Sequence, residues 1–326
     1  SWDVAEYMGK NARIVLVDQS KEGWGFINAD CFYQSDTKLE KEIFAKRMLV
    51  THRYLNIPVK MGAVIEQMDI WIGDKMVRNM EVELGGDEPD YWVTLEVKDW
   101  IGQELRIEAS KSPNVEQALN QCFCSETPKE ENLFYKEPLR PKVHFTSRRG
   151  WLNDPNGLCY FKGRYHVFFQ YSPFEVEGGL KLWGHYSSED LVSWRYEGVP
   201  LYPDSSYDCH GVYSGSAIVE DEKLHLFFTG NVKMDGDYDH INNGREASTL
   251  HVESEDGIHF GVKEVAVDYQ DYPETYTRHV RDPKVWKDDD AYFMALGGRK
   301  KNDQGAVLIY LSLIHISEPT RLGMIS

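Results

Sequence analysis

The sequence predicts an all-β protein, the first part of a β-propeller preceded by small β-sandwich-type domains. Two observations predict it. Short runs of alternating apolar and polar residues, separated by turn residues, recur over residues 44–126, as in small sandwiches. From residue 142 onward, a pattern of strand, tight turn and strand repeats three times, which is typical of propeller blades.

The composition excludes several classes of partner. The chain has 326 residues, of which 53 are acidic and 36 basic, and its formal net charge is −17. This balance argues against a nucleic acid or an anionic membrane and suits a neutral or cationic ligand. No apolar run approaches the roughly 20 residues needed to span a bilayer. The five cysteines fit no zinc pattern and are too few for a disulfide framework, so the redox compartment stays open.

Residues 1–43 carry two strand-like patches, at 12–18 and 23–30. They are too few for a domain, so we expect the end of a truncated β-sandwich module. The stretch Gly23-Trp-Gly-Phe-Ile-Asn-Ala-Asp30 resembles the closing strands of jelly-roll, carbohydrate-binding-like modules. Trp24 could stack on a sugar, and a core or turn position is the alternative.

Residues 44–126 are predicted to form a second, small all-β domain. Its five strand candidates are bounded by turn residues and lie at 54–59, 64–72, 75–84, 91–97 and 104–109. Their alternation offers no catalytic constellation, so we expect a structural role. The proline-punctuated stretch 127–141 is expected to be a linker into the next domain.

Three hairpin repeats follow, at 157–170, 216–229 and 283–296. Further strand-like stretches follow them, as at 182–187 and 194–196. The third repeat begins a blade whose next strand is predicted at 307–310. We assign residues 142–310 to the propeller. A closed propeller needs at least about four blades.

The first strand of each propeller blade lines the central channel. Polar pairs stand just before each repeat, namely Asn153-Asp154, Tyr213-Ser214 and Arg281-Asp282. The repeat therefore predicts that Asp154 and Asp282 face one pocket, with an arginine and a hydroxyl group beside them.

The stretch Trp151-Leu-Asn-Asp-Pro-Asn-Gly157 combines a carboxylate with two amides, a proline and a glycine. Pro155 fixes its own φ and biases Asp154 towards extended geometry. Asn156-Gly157 tolerates positive φ. We therefore predict a rigid turn that aims one carboxylate, with amide donors and an aromatic face that suit a hydroxyl-rich ligand such as a sugar. The alternative is an ordinary Asx-type turn entering a strand.

The tail 311–326 resembles a translated sequencing adapter, and we expect it to be non-native. The alternative is a real amphipathic strand and loop. At the other end, the chain begins at Ser1 without a charged-then-apolar leader, which leaves secretion open.

Taken together, the motifs within 140–310 resemble glycoside hydrolase family 32, the invertases, levanases and inulinases. The stretch from Trp151 to Gly157 resembles the sucrose-binding box of the family, with leucine where methionine is common. Four further motifs follow in the family's order: Tyr165-His-Val-Phe-Phe-Gln-Tyr-Ser-Pro173, Trp183-Gly-His185, Tyr213-Ser-Gly-Ser-Ala217 and Arg281-Asp-Pro283. The resemblance implies a five-bladed propeller followed by a β-sandwich. Two shorter stretches resemble the small domain before the catalytic module of some bacterial levanases: Tyr54-Leu-Asn-Ile-Pro-Val59 and Asp90-Tyr-Trp-Val93.

The resemblance also implies a retaining mechanism, which needs two carboxyl groups about 5–5.5 Å apart. Asp154 matches the nucleophile and Asp282 the transition-state stabiliser. Arg281 could hold sugar hydroxyls and keep Asp282 ionised, and a local structural ion pair is the alternative. The acid/base glutamate of the family belongs to a Glu-Cys motif that no glutamate before residue 311 matches. We therefore expect the 326-residue chain to be inactive by itself.

Five further residues match family positions that contact the terminal fructose: Asn153, Gln170, Trp183, Tyr213 and Ser214. The amides and the hydroxyl group would bond sugar hydroxyls, and the aromatic rings would form the pocket walls. For Trp183 a core position is the alternative. Tyr213 stands where the family often has tryptophan or phenylalanine, so its contact geometry is open.

The histidines show no metal-ligand spacing. We expect core or strand-edge roles for His166, His185, His210 and His225, and no metal site. No phosphate-cradling glycine loop is present, so no cofactor is implied.

The expected protein is a secreted, periplasmic or cell-surface β-fructosidase that cleaves fructans, such as levan or inulin, or sucrose. A fructosyltransferase shares the same motifs. A non-catalytic fructan-binding propeller is the alternative from another class, and the residue at the acid/base position would discriminate it. An arabinan-type propeller hydrolase is disfavoured by the intact box at Trp151. Linkage preference, endo or exo cutting and the oligomeric state stay open.

Overall fold

The structure is a computed structural model that describes residues 4–11, 13–14, 42–234 and 238–312. Ser1–Glu42 and Ile43–Ser326 form two compact units. Described residues of the first unit include one turn of 3-10 helix, Ala5–Tyr7. Trp24 and nearly all of the patches at 12–18 and 23–30 lie outside the described residues, as does the predicted tail from residue 313 onward. Leu311 and Ser312, which the tail prediction includes, continue a strand.

The part that follows is a two-sheet sandwich with one helix. Its elements are β1 (Ile43–Leu49), β2 (Tyr54–Val59), β3 (Ile65–Ile72), β4 (Lys75–Glu83), β5 (Tyr91–Glu96), β6 (Glu104–Ser110), α1 (Pro113–Gln121) and β7 (Phe123–Ser125). One sheet has the order β1-β6-β3-β4 and the other β5-β2-β7. The five predicted strands are confirmed, each bound within one residue of the prediction.

The helix α1 begins as its sequence favours. Ser112 caps it by accepting a hydrogen bond on Oγ from the Val115 N–H at 3.2 Å, and proline stands at the first helical position. No helix in the described part of the chain is long and apolar enough to cross a membrane. Short 3-10 helices lie at Lys98–Trp100, Glu131–Leu133 and Tyr269–Asp271.

Three antiparallel sheets follow, and they confirm the three predicted hairpin repeats. The first contains β8 (Trp151–Phe161), β9 (Arg164–Ser172), β10 (Leu182–Ser188) and β11 (Trp194–Leu201). The second contains β12 (Val212–Glu220), β13 (Lys223–Lys233), β14 (Arg245–Ser254) and β15 (Glu264–Val267). The third contains β16 (Tyr276–Asp288), β17 (Ala291–Lys300) and β18 (Gly305–Ser312). We call these sheets blades 1, 2 and 3.

The hairpin turns of blades 1 and 2 explain why these blades begin with a tight strand pair. Lys162 and Gly163 have φ of 45° and 79°, and Asp221 and Glu222 have φ of 48° and 60°. Two consecutive residues with positive φ make the turn whose twist matches that of paired strands. Each turn has two residues, so the repeats keep the same strand register.

The first strands of the blades lie side by side, with β8 beside β12 and β12 beside β16. Each is the edge strand of its own sheet. Apolar side chains fill the spaces between blades: Phe168, Trp183 and Phe228 belong to one core cluster, and Phe227 and Leu296 to the next. This packing brings the polar positions just before each repeat (153–154, 213–214 and 281–282) around a common opening, which we call the mouth.

Candidate active site

The stretch from Trp151 to Gly157 is part of strand β8, so the predicted turn is wrong. The register of β8 against β9 shifts between Leu152 and Pro155 and again between Asn156 and Cys159. Proline has no N–H to donate to a ladder, and an edge strand is where a sheet accepts it. Gly157 does adopt the positive φ expected of it, 53°. The stretch is therefore a strand with two irregularities, a device that re-aims side chains.

All three inner strands carry such an irregularity at the same level. In β16 the register shifts between Arg281 and Lys284, around a second Asp-Pro pair. In β12 it shifts between Val212 and Gly215. A Cβ on Gly215 would lie 1.9 Å from the Phe227 carbonyl oxygen, so only glycine fits there. The polar positions before each repeat thus leave the regular ladders and point to the mouth.

A chain of hydrogen bonds connects four of the predicted site residues. Asn153 Nδ2 donates to Gln170 Oε1 at 3.3 Å, and Gln170 Nε2 donates to Ser214 Oγ at 2.8 Å. Ser214 Oγ in turn donates to Asp154 Oδ2 at 2.7 Å. Gln170 and Ser214 are buried, whereas Asp154 is exposed. Buried partners thus hold an exposed carboxylate by one of its oxygens.

Asp282 lies at the same mouth. Its backbone has φ of 61°, and its N–H donates to Thr229 Oγ1 at 2.9 Å. Arg281 Nε lies 3.6 Å from its Oδ2. Burial raises the pKa of Asp282, the neighbouring Arg281 lowers it, and the negative charge of Asp154 raises it. The two aspartates are therefore near enough to repel each other, although they are far apart in the sequence.

Trp183 lies behind this group. Its ring is fully buried between Phe168 and Phe228, and its Nε1 donates to the Tyr213 carbonyl oxygen at 3.0 Å. Tyr213 is half-buried, and the Arg245 guanidinium lies 5.9 Å from the centre of its ring. Trp183 thus positions the backbone next to Ser214, and its role as a pocket wall stays a prediction.

Three residues that position the site were missed as site residues in the sequence. Asn156 is buried and accepts a hydrogen bond from the Gly215 N–H at 3.4 Å, which links β8 to β12. Ser216 accepts one from the Val285 N–H at 3.0 Å, which links β12 to β16. The third is Thr229, whose hydroxyl group accepts the hydrogen bond from the Asp282 N–H. Asn156 stood within the quoted motif but was assigned to a turn, whereas Ser216 and Thr229 depend on packing between blades, which no local pattern reports.

The histidines form buried pairs in the blades. His166 Nδ1 lies 2.9 Å from His185 Nε2, and His225 Nδ1 lies 3.0 Å from His251 Nε2. Burial lowers the pKa of His166, His185 and His225. The predicted core role is confirmed for these three. Within the described ranges, no group of three or more histidine, cysteine, aspartate or glutamate residues could hold a metal ion.

Comparison with known proteins identifies the family. Residues 144–315 match the model of the glycosyl hydrolases family 32 N-terminal domain. The chain belongs to glycosyl hydrolase family 32. Its match to the family model covers all the predicted site residues, from Asn153 to Asp282.

Two relatives of this family 32 chain are named sucrose-6-phosphate hydrolase and raffinose invertase. It is 40% identical over 198 residues to the sucrose-6-phosphate hydrolase of Bacillus subtilis, covering 60% of the chain and 39% of that enzyme. It is 41% identical over 172 residues to the raffinose invertase of Escherichia coli, covering 52% of the chain and 34% of that enzyme. The chain thus spans between about a third and two fifths of the length of these relatives.

A family 32 β-fructofuranosidase of Bombyx mori has a similar structure. It matches with a TM-score of 0.50 and 32% identity over 57% of this chain and 38% of its own. A variant of that enzyme in complex with sucrose matches with a TM-score of 0.50 and 31% identity over the same shares of the two chains. The propeller fold of family 32 is therefore shown for this part of the chain.

Proposed function

We propose that the parent protein is a retaining β-fructosidase that cleaves β-fructofuranosidic bonds in fructans or sucrose. The observation that carries the proposal is the meeting of Asp154 and Asp282 at one mouth, on inner strands of different blades. Hydrogen bonds from buried residues support Asp154 there. One of these carboxyl groups could attack the anomeric carbon and the other could stabilise the positive charge that develops on the sugar ring. The retaining mechanism also needs an acid/base carboxyl group.

In this proposal Asp154 is the nucleophile. Ser214 occupies Oδ2 of its carboxylate, which leaves Oδ1 to attack the anomeric carbon of the fructosyl unit. The new C–O bond forms as the glycosidic bond breaks, and the leaving oxygen takes a proton from the acid/base residue. Water then attacks the same carbon and gives a proton to the acid/base residue, and the ester bond to Asp154 breaks, which releases fructose. The acid/base residue would be the glutamate of the family's Glu-Cys motif, which no glutamate before residue 311 matches.

Asp282 and Arg281 are proposed to hold the fructosyl unit. A carboxylate beside the ring strengthens its interaction as the ring gains positive charge in the transition state. Arg281 keeps the carboxyl group of Asp282 more acidic than burial alone would allow. Asn153 and Gln170, which already bond each other, offer amide groups to sugar hydroxyls.

Sucrose 6-phosphate is the second candidate substrate. Relatives named for its hydrolysis are about 40% identical to the chain. Arg245 beside Tyr213 would place a cation near the mouth, where a sugar phosphate could use it. The two substrates also predict different locations. A fructan polymer requires a secreted or surface enzyme, whereas a phosphorylated sugar is available inside the cell.

The test is a substrate comparison with the purified full-length enzyme. Sucrose, sucrose 6-phosphate, levan and inulin are supplied separately, and the released sugars are measured. Free fructose supports a hydrolase, and longer fructosides from sucrose alone would show a fructosyltransferase. Binding of fructan without turnover of any substrate would contradict the proposal in favour of a non-catalytic propeller.

A further inference from the structure

The β9–β10 connection, residues 173–181, joins two strands that carry site residues. Gln170 stands three residues before it, and Trp183 two residues after it. The backbone at its end also reaches the neighbouring inner strand, because the Val212 N–H donates to the Lys181 carbonyl oxygen at 2.8 Å. A displacement of this connection would therefore move residues that support Asp154 and Tyr213.

The sandwich holds this connection. Phe174 and Leu180 are buried in the same apolar cluster as the sandwich residues Leu55, Ile57 and Ile70. The Glu83 N–H, at the end of β4, donates to the Phe174 carbonyl oxygen at 3.3 Å. The connection is thus packed into the core of the sandwich while its two ends continue into blade 1.

Acidic groups are buried at this contact. Glu175 is 3% exposed and Glu83 is 8% exposed. Glu175 Oε1, Glu83 Oε2 and the Tyr91 hydroxyl have no hydrogen-bond partner among the described residues. The Glu175 carboxyl group also fills the space beside Gly179, where a Cβ would collide with it. Buried carboxylate oxygens without partners are costly, and binding a proton relieves that cost.

The charges around Glu175 favour its neutral form. Burial is the main cause that raises the pKa of Glu175, to about 6, and the charges of Glu81, Glu83 and Glu177 raise it further, whereas Lys181 lowers it. The Tyr91 hydroxyl group lies near the charges of Glu83 and Glu175, and near those of Arg149 and Asp90. The acidic neighbours of Glu175 thus belong both to the sandwich and to the connection. The positive charge of Lys181, on the connection, acts against them and favours the ionised form of Glu175.

We propose that Glu175 is a positioning residue of the active site, whose buried carboxyl group takes up a proton and so secures the β9–β10 connection against the sandwich. This inference rests on the proposed function for its link to substrate, but not for its link to stability. Above the pH at which Glu175 ionises, the connection is less firmly held, and the residues at its two ends are less well placed for the fructosyl unit.

The stability test compares the 326-residue chain with Glu175→Gln, which keeps the shape of the side chain and cannot ionise. The carboxyl group of the unfolded chain has its ordinary pKa of 4.5, and that of the folded chain about 6. The proton's contribution to stability is therefore complete below pH 4.5 and is lost as the pH rises through about 6. Between these values the Tm of the wild-type chain should fall by about 2–4 °C relative to the variant.

Two further variants keep this test sharp. Glu177→Gln removes an exposed carboxylate from the same connection. Its charge is the smallest of those that raise the pKa of Glu175, so the decline should persist with at most a slight move to lower pH. Glu83→Gln removes a buried neighbouring charge, and it should move the decline to lower pH. Parallel Tm profiles for wild type and Glu175→Gln, or equal effects of the substitutions at 175 and 177, would overturn the proton uptake.

The positioning role is read from kinetics of the full-length enzyme at pH 5 and pH 7.5. For Glu175→Gln we expect a KM severalfold below that of the wild type at pH 7.5, equal KM values at pH 5 and nearly unchanged kcat. Equal KM values at both pH values would overturn the positioning role. If the wild-type enzyme cleaves no fructoside, the proposed function fails, and the Tm comparison still decides the proton uptake because it needs no substrate.

Discussion

At the scale of single residues, Asp282 has a backbone conformation that residues other than glycine rarely adopt. Its φ of 61° is in the left-handed region. Such a conformation costs of the order of 1–3 kcal/mol and persists where surrounding contacts determine it. Here the Asp282 N–H donates to the Thr229 hydroxyl group, and this contact overrides the extended backbone that Pro283 favours in the residue before it. This strained backbone directs the Asp282 carboxylate towards the position where we propose that fructose binds.

The charge of Arg281 gives a test of this carboxylate. In Arg281→Gln the cation that lowers the pKa of Asp282 is lost, so that pKa rises. The ionised form is then lost at a higher pH as the solution is acidified. We expect the acid limb of kcat/KM in the full-length enzyme to move to higher pH. Lys284→Gln, on the same strand, is the matched control, and identical acid limbs for the two variants would contradict the assignment.

At the scale of elements, the three inner strands combine a regular hairpin with an irregular start. The hairpin half alternates and pairs in simple register, whereas the half towards the mouth contains the shifts at Pro155, Gly215 and Pro283. The regular half packs each blade against its neighbour. The irregular half frees the polar side chains from the ladder, and it therefore carries the candidate site residues.

Gly157 tests how closely β8 packs at this point. A Cβ there would lie 2.7 Å from Phe168 Cδ2, and φ is positive. Gly157→Ala should lose about 1–2 kcal/mol from backbone strain and about 1–3 kcal/mol more from overpacking, measured by urea unfolding. Gly163→Ala is the control, because it also has positive φ but no atom within 4 Å of its Cβ position. Equal losses for the two variants would show that packing at Gly157 is unimportant.

Local patterns predicted the hairpins because alternation and turn residues act within a few neighbours. The same reasoning wrongly predicted a turn at Asn153–Gly157. Residues such as Asn, Asp, Pro and Gly favour turns locally, but pairing with β9 decides in favour of a strand. Asp154 and Asp282 could be proposed as partners because the repeat places them equivalently. Thr229 could not, because its contact with Asp282 comes from packing between blades.

At the scale of the whole molecule, the sandwich and blade 1 share apolar core. Phe174 and Leu182 belong to the blade side in sequence but pack with the sandwich residues. Arg78 of β4 adds a second connection, stacking on Tyr202 at 4.1 Å and lying 3.5 Å from Asp204. The sequence predicted a sandwich with a structural role, but it did not predict this contact. The contact joins segments about 100 residues apart, and the strand pattern of each segment gives no sign of the other.

Phe174 tests the shared core. Its side chain is fully buried. Phe174→Ala should destabilise the chain by about 3–5 kcal/mol, because it removes a large buried ring and leaves a cavity. Val176→Ala, an exposed position two residues further on, should change the free energy of unfolding by less than about 0.5 kcal/mol. A loss below about 1 kcal/mol for Phe174→Ala, measured by urea unfolding, would show that the sandwich and blade 1 do not depend on this contact.

Turnover by Asp154→Asn shows whether Asp154 is the nucleophile. The substitution keeps the shape of the side chain and an oxygen for the Ser214 hydroxyl group, but removes the negative charge that attacks the fructosyl carbon. We predict that kcat of the full-length enzyme on its best fructoside falls by about 10³-fold or more. Asp221→Asn, in the β12–β13 turn, receives the same chemical change away from the mouth and should keep wild-type turnover. Turnover by Asp154→Asn within a few-fold of the wild type would show that Asp154 is not the nucleophile.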